Sequence, residues 1–554
     1  MIDKKKMATK IDQAKALADK YELKMLSNEF EMLKKVNDDY KINVLFIGGY
    51  SAGKSALLNC LIGSEKLVEN QAPETAIATE LCFAEVDSIY AVDMDGKMAR
   101  LSSTDQADPE KHNHLVYNIF SEQLRDLPEY IMVDTPGFDS GIERHNKALM
   151  QYIGNKGTAY IIVVDCEKGT LSNSALNYLN EVSHYSNDIA VIINKCDKKT
   201  KDDVEAIKNH VVDLIVSNCG KECPVITTSK YDDDVSVKLK SLIHEFDPQE
   251  LYEKNIGSLV ESKISDLKKA LTIIEKNEFL DVSDFDIEIA KREKTKEKLQ
   301  KEIKIKQENM KRKKRDEIKN RIVNDISVKL NNNARALADA YKTSVECLQE
   351  KVISLVRPII VKSVKDYEIE SCEELIKSIE VANLDFGEGI DAEEVGKILS
   401  DVLVKIESVS NALNSVRLSE ENEGGVDTSK YKAIMSLLAI TTDVVAPPLE
   451  ILIVFLPDII KLVNVFMVNH QEQQLVSEIQ KKVIPQIANK VAEQLDTSLE
   501  SVEQVMVQNI EDAVVDLLQV ETDALEKAKQ KKSEKETEFN NYISELRSDI
   551  ALLA

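Results

Sequence analysis

A short, mostly apolar run at residues 42–47 (INVLFI) leads directly into Gly48-Gly49-Tyr50-Ser51-Ala52-Gly53-Lys54-Ser55, and 54–62 then reads as a helix. The spelling G-x-x-x-x-G-K-[ST] between a strand and a helix constrains the fold more than any other feature of the chain. Glycines let consecutive backbone N–H groups turn inward around phosphate oxygens, and a helix starting at the loop adds its positive dipole end. Lys54 is expected to reach the β and γ phosphates and the Ser55 hydroxyl to ligate Mg²⁺. Ala56 completes the stretch expected to line the nucleotide. A chance glycine-rich turn is the competing reading, and the flanking strand and helix weigh against it.

The pattern downstream fits such a loop. Residues 79–101 read as antiparallel β with a tight turn at Asp95-Gly96. Candidate strands at 129–134, 160–165, 189–194 and 224–229 alternate with candidate helices near 142–153, 172–184 and 202–217. That alternation predicts a mostly parallel sheet wrapped by helices, closing near Pro248.

Two further motifs end predicted strands. In Asn194-Lys195-Cys196-Asp197, the Asp carboxylate can accept both N1–H and the 2-amino group of guanine, a donor pair that adenine lacks. The Asn can tie this loop to the phosphate loop, and the Lys stem can pack on the base. In Asp134-Thr135-Pro136-Gly137, Asp134 is expected to hold Mg²⁺ through water and the Gly137 N–H to contact the γ-phosphate, forming a switch. A switch threonine belongs between the phosphate loop and Asp134: Thr75 is the choice, with Thr79, which also reads as the start of a strand, as the alternative. Ser229 and Lys230, after 224–229, are expected to border the base. The predicted cofactors are GTP or GDP and Mg²⁺, with Ser55, Thr75 and Asp134 around the metal.

Outside 41–248 strand signals vanish. Residues 1–40 read as one helix, 258–330 as one or two very long helices and 334–382 as another. A break follows at 383–391, helix at 393–417, an acidic loop at 419–430 and long amphipathic helix over 470–554. Gly (17) and Pro (11) are sparse and charged residues make up 31%, which suits long solvated helices. At roughly 150 residues per domain, 554 residues suggest about three or four units. The net charge of -25 argues against a nucleic-acid partner, and against an anionic membrane unless apolar area or a local cationic cluster compensates. Eight scattered cysteines suit free thiols in a reducing cytosol. The lysines at 4–6 precede no apolar core, so no secretory signal is expected, and no stretch of about 18 uncharged apolar residues suggests a spanning helix.

With GGYSAGKS at 48–55, PETAIAT at 73–79, DTPG at 134–137 and NKCD at 194–197, the chain resembles the dynamin-like GTPases, particularly bacterial ones. The motif resemblance covers about 45–230; beyond that it is a resemblance of layout. It implies GTP-driven assembly, slow basal hydrolysis and dimerisation across the nucleotide face, with a related GTPase as a second candidate partner. It carries functional roles to Ser51, Lys54, Ser55, Thr75, Asp134 and Asp197, with Ser51, Lys54 and Thr75 as the catalytic set. Two departures matter. Eukaryotic dynamins usually carry Gln where Tyr50 stands, and Phe138 follows Gly137 where a Ras-like protein places its water-orienting Gln. No arginine finger is identifiable, and Arg144 reads as a lone surface residue.

The resulting expectation is an α/β P-loop GTPase head on a long all-α helical-bundle stalk. Residues 1–40 would be the N-terminal neck helix, 41–248 the GTPase domain, 249–382 neck and trunk helices, 383–430 a helix-loop region and 469–554 return helices. Pro248 and Gly257 are hinge candidates, and the helix near 520–552 is a natural neck partner for the first one. Residues 431–468 are the most apolar part of the chain, broken by Pro447-Pro448 into a hairpin. The hairpin is either a membrane-touching tip or a buried core segment. The basic run at 291–321 is either a lipid-phosphate patch or a solvated helix face interleaved with glutamates. Function follows the same fork: a membrane-remodelling GTPase, cytoplasmic and peripheral on a membrane, or a regulatory switch or scaffold acting on a protein partner.

Overall fold

The computed structural model describes residues 2–49, 51–67, 77–93, 97–108, 111–137, 158–183, 186, 188–220, 222–381, 472–534 and 536–553. Tyr50, Thr75, the Asp95-Gly96 turn, the 142–153 helix, Arg144 and everything expected at 383–468 lie outside them.

Among the described residues the head is a nine-stranded mixed sheet. Its strands are β1 (Ile42–Gly48), β2 (Ala78–Phe83), β3 (Ser88–Asp93), β4 (Met98–Leu101), β5 (His112–Ile119), β6 (Tyr130–Asp134), β7 (Ala159–Asp165), β8 (Ile189–Asn194) and β9 (Val225–Thr227), in spatial order β4-β3-β5-β2-β6-β1-β7-β8-β9. The block β6-β1-β7-β8-β9 is parallel, and parallel neighbours need crossover connections, supplied between β7 and β8 by the helix Asn173–Val182 and between β8 and β9 by the helix Lys201–Cys219. β1 is buried on both faces: Val44 and Phe46 join one core, Leu45 and Ile47 the other. Strands covered by helices on both sides need no polar alternation, which is why 42–47 reads as a continuous run.

The 79–101 region is only partly the expected antiparallel unit. β3 pairs antiparallel with β4, but β2 runs antiparallel to β6 and parallel to β5, which lies between β2 and β3. β5 is a strand that the pattern did not announce. Its sequence HNHLVYNI buries one polar residue, His114, which faces fully buried Glu80 on β2, with Nε2 and Oε1 3.5 Å apart.

Helices flank the sheet: α1 (Lys4–Lys20), α2 (Lys24–Asp39), α3 (Lys54–Ile62), α4 (Glu122–Arg125), α5 (Asn173–Val182), α6 (Lys201–Cys219), α7 (Val235–Ile243) and α8 (Pro248–Tyr252). The single helix expected over 1–40 is a hairpin of α1 and α2. Tyr21 and Leu23 are buried at the corner, while Glu22 turns the chain at φ 56, in the left-handed region.

The stalk continues through α9 (Ser258–Lys276), α10 (Val282–Asn332), α11 (Ala334–Thr343), α12 (Val345–Val381), α13 (Glu472–Glu478), α14 (Ile484–Glu534) and α15 (Glu536–Leu552). α10 and α14 run antiparallel for most of their length, joined by Arg292 to Glu521 at 2.7 Å and Arg315 to Glu503 at 2.6 Å. Ile318, Ile322, Ile326 and Leu330 recur every four residues and pack on Val352, Val356, Ile360 and Val364 of α12. That spacing keeps one stripe of each helix against its neighbours. Nearer the head, α1, α2, α9, α15 and the end of α14 share one core that continues into a face of the sheet. There the Tyr21 hydroxyl and Lys20 Nζ each donate to Asp549 at 2.7 Å. Among the described residues no helix is long and apolar enough to cross a membrane.

Candidate functional site

The motifs meet at the C-terminal ends of β1, β6 and β8, where an open parallel sheet presents its loops. The loop after β1 is held tightly. At Gly48, which opposes Val163 on β7, an added Cβ would stand 2.4 Å from the Val163 carbonyl oxygen. Gly53 has φ 91, and its Cβ would meet the Asn194 side-chain nitrogen at 2.3 Å. Both positions need glycine, one for close approach and one also for its backbone. Ser51 takes φ 61 and is exposed, while Gly49, Ala52 and Ala56 are buried.

Lys54 begins α3 and is 7% exposed, with Nζ donating to the carbonyl oxygens of Gly48 at 3.0 Å and Gly49 at 3.4 Å. The ammonium is therefore folded into the loop that it would serve. Ser55 Oγ donates to Asp134 Oδ2 at 2.7 Å. Asp134 ends β6 beside Phe46 and opposite Thr79, which lies within β2. It is 1% exposed, and its Oδ1 has no hydrogen-bond partner. Burial pushes its carboxyl above the ordinary range, opposed by the charge of Lys54 and the Ser55 hydrogen bond. A buried carboxylate oxygen beside a serine hydroxyl is a hard-oxygen pair that suits Mg²⁺. Gly137 is half-buried three residues on.

The β8 motif is tied to the same loop. Asn194 Nδ2 donates to the Ala52 carbonyl oxygen at 2.9 Å. Lys195, at φ 62, sends Nζ to Asp165 Oδ2 at 2.7 Å. Asp197 is exposed, and its Oδ1 accepts from Ser229 Oγ at 2.6 Å. Ser229 is 1% exposed, so a buried hydroxyl fixes an exposed carboxylate. Lys230 is exposed, with Nζ 5.6 Å from the centre of the Tyr231 ring. Ser51 to Ser55, Asp134, Asn194 to Asp197 and Ser229 thus surround one region.

Three contributors escaped the sequence reading. Thr135 Oγ1 donates to the Phe46 carbonyl oxygen at 2.6 Å and binds the β6 loop to β1. Asn59 on α3 accepts from Lys66 N at 3.1 Å and Leu67 N at 2.9 Å, and donates to the Leu67 carbonyl at 2.8 Å, clamping the chain that leaves the helix. Asp165 stands opposite Asn194 at the end of β7. Thr135 stood in the Asp134-to-Gly137 motif without a role, and Asp165 left its trace as an acidic residue closing an apolar strand at the same level as the β8 motif.

Comparison with known proteins agrees with this geometry. Residues 44–196 match the model of the dynamin family. An uncharacterized protein in the xynA 3′ region of Caldicellulosiruptor sp. (strain Rt8B.4) is 24% identical over 212 residues, 35% of this chain. The match spans about half of that relative's length, 52%. Two solved structures of an oligomerised bacterial dynamin pair, described as a mechanism for long-range sensing and tethering of membranes, align over 94% and 98% of this chain. They cover 91% and 93% of their own chains at 14% and 15% identity, with TM-scores of 0.32 and 0.31, too low to carry an argument about arrangement. A bacterial selenocysteine-specific elongation factor aligns over 37% of this chain and 28% of its own, at 15% identity and a TM-score of 0.24. The P-loop head, over residues 44–196, is thus similar to the dynamin family.

Proposed function

We propose that the chain binds GTP with Mg²⁺ and hydrolyses it to GDP and phosphate, assembling with copies of itself across the nucleotide face. The observation that carries this reading is the pair of ties across the site: Ser55 to Asp134, and Asn194 to Ala52. They bring phosphate-binding, metal-binding and base-reading groups to one place. In this reading Gly48 to Ala56 wrap the phosphates, Lys54 leaves the loop carbonyls for them, and Ser55, Thr75 and Asp134 hold Mg²⁺. Bound Mg²⁺ neutralises charge that develops on the phosphates. Gly137 senses the γ-phosphate. Ser51, Lys54 and Thr75 surround the transferred group, Asp197 reads the guanine edge, and Lys195, Ser229 and Lys230 border the base.

The stalk reading follows: 1–40 with 249–382 and 469–554 form neck and trunk, and the 431–468 hairpin gives peripheral membrane attachment. Two experiments test these parts separately. Turnover with Mg²⁺ should favour GTP over ATP and vanish in Lys54→Ala; equal rates for the two nucleotides, or parental turnover in Lys54→Ala, would sink the catalytic reading. Liposome flotation with a non-hydrolysable GTP analogue should be lost in Leu449→Asp with an unchanged thermal melt. Flotation that persists would assign membrane contact elsewhere, and a parent chain that does not float would remove the membrane reading.

A further inference from the structure

We propose that Asp165 is a positioning residue for the nucleotide base, acting by anchoring Lys195; this rests on the GTP-binding reading above. Asp165 is the last residue of β7 and lies opposite Asn194 in the parallel ladder. Its carboxylate has two distinct jobs. Oδ1 accepts from Glu167 N at 2.9 Å and caps the short turn Cys166–Lys168. Oδ2 accepts from Lys195 Nζ at 2.7 Å. The first bond holds the carboxylate in place, so the second holds the ammonium at a defined point.

Lys195 needs such an anchor. Its backbone is left-handed at φ 62, just before the turn Cys196–Lys198 that carries Asp197. A non-glycine residue accepts that conformation at a steric cost. The side chains of the pair are 23% and 13% exposed, so neither charge is fully solvated. A free lysine stem samples many rotamers and loses that freedom on lying along a purine. One fixed at its far end has lost it before the ligand arrives. The anchored stem bridges the ends of β7 and β8, beside the Asn194 tie to the phosphate loop.

The division of labour has a chemical signature. Asp197 reads hydrogen-bond donors on the base edge, so it discriminates among purines. A lysine stem covers a ring face, so its anchor raises affinity for guanine and hypoxanthine nucleotides alike. A carboxylate that merely capped the turn Cys166–Lys168 would act whatever stood at 195.

The test is calorimetric titration of the full chain with Mg²⁺ and either GDP or IDP. It uses the parent, Asp165→Asn, Lys195→Met and the double variant, each with a thermal melt. Asparagine keeps an acceptor for Glu167 N–H but removes the charge that holds Lys195. Asp165→Asn should weaken GDP and IDP alike, by about tenfold for a lost charge-assisted bond. The GDP-to-IDP ratio and the ligand-free melt should stay parental. In the Lys195→Met background the same change should have no further effect, because its partner is gone. Parental affinity in Asp165→Asn, an equal loss in both backgrounds, or a shifted GDP-to-IDP ratio would each overturn the assignment alone. A parent chain that binds neither nucleotide would overturn the GTP reading and the anchor with it.

Discussion

Arg357 of stalk helix α12 donates to the hydroxyl of Tyr178 on head helix α5 at 3.0 Å, its guanidinium 5.1 Å from the centre of the same ring. Arg357 is 3% exposed and immediately precedes Pro358, which lies inside the helix. A buried guanidinium at a seam between two helical surfaces makes the seam depend on polar geometry rather than on apolar area.

Removing either member should therefore loosen the head from the stalk. Arg357→Met and Tyr178→Phe, alone and together, should show a coupling of about 1–2 kcal/mol in urea unfolding, as expected for a hydrogen bond from a charged group. Strictly additive effects would mean that the contact holds nothing together.

Asp134 combines a raised carboxyl pKa with an oxygen that has no partner. An acid whose folded pKa lies above its unfolded value stabilises the fold below the unfolded pKa and loses that contribution as pH rises through the folded one. At neutral pH, above the unfolded pKa, burying Asp134 is thus a cost to the ligand-free chain. Asp134→Asn should melt higher than the parent at neutral pH, with the gap closing as pH falls into the carboxylate range. The same variant should lose Mg²⁺-dependent nucleotide binding. A lower melt for Asp134→Asn at neutral pH would contradict the burial argument.

The carboxylate of Asp197 is exposed, so under the proposed reading guanine selectivity would draw its desolvation from the base that covers it rather than from a buried pocket. Selectivity then depends on orientation, which Ser229 supplies at 2.6 Å. GTP should bind about 10³-fold more tightly than ATP, and Ser229→Ala should erode that ratio while leaving the melt almost unchanged. Asp197→Asn should shift preference towards xanthine nucleotides. Competition binding with GTP, ATP and XTP decides both; a ratio untouched by Ser229→Ala would remove the serine from base recognition.

In the stalk, Glu503 is 4% exposed and accepts from Arg315 Nη2 at 2.6 Å and from the Tyr367 hydroxyl at 2.6 Å. This single carboxylate joins α14 to α10 and α12. Glu503→Ala strands a half-buried guanidinium and a buried phenol and should cost about 3 kcal/mol of stalk stability. Glu503→Gln keeps an acceptor for Tyr367 and should cost less. Chemical denaturation with a probe on the stalk orders the two, and equal stability of both variants with the parent would show the network to be idle.

Much of the head was legible because its motifs are local. A strand, a glycine turn and a helix start are specified within about ten residues by sterics and burial on both faces. Residues 42–62, Asp134 at the end of β6 and Asn194 at the end of β8 could therefore be placed without knowing their neighbours. The stalk helices were visible as long stretches with sparse glycine and proline, many charges and no strand signal.

What sequence could not decide was partnership. β5 hid because His112, Asn113, His114 and Asn118 obscure its alternation, and the burial of His114 makes sense only beside Glu80 on another strand. The corner at Tyr21 to Leu23 hid inside a helical pattern, since only packing of α1 on α2 favours a left-handed Glu22 there. By itself the sequence determined the strand, glycine turn and helix of the phosphate loop, the strands that alternate with helices in the parallel block and the helical character of the stalk. The tertiary structure decided which strand lies beside which, that Asp165 grips Lys195, and that Arg357 reaches Tyr178 across 179 residues. The reason is physical. Short-range sterics and burial periodicity are written in neighbouring residues, whereas a contact between distant residues depends on how the whole chain closes, and no local pattern encodes that closure.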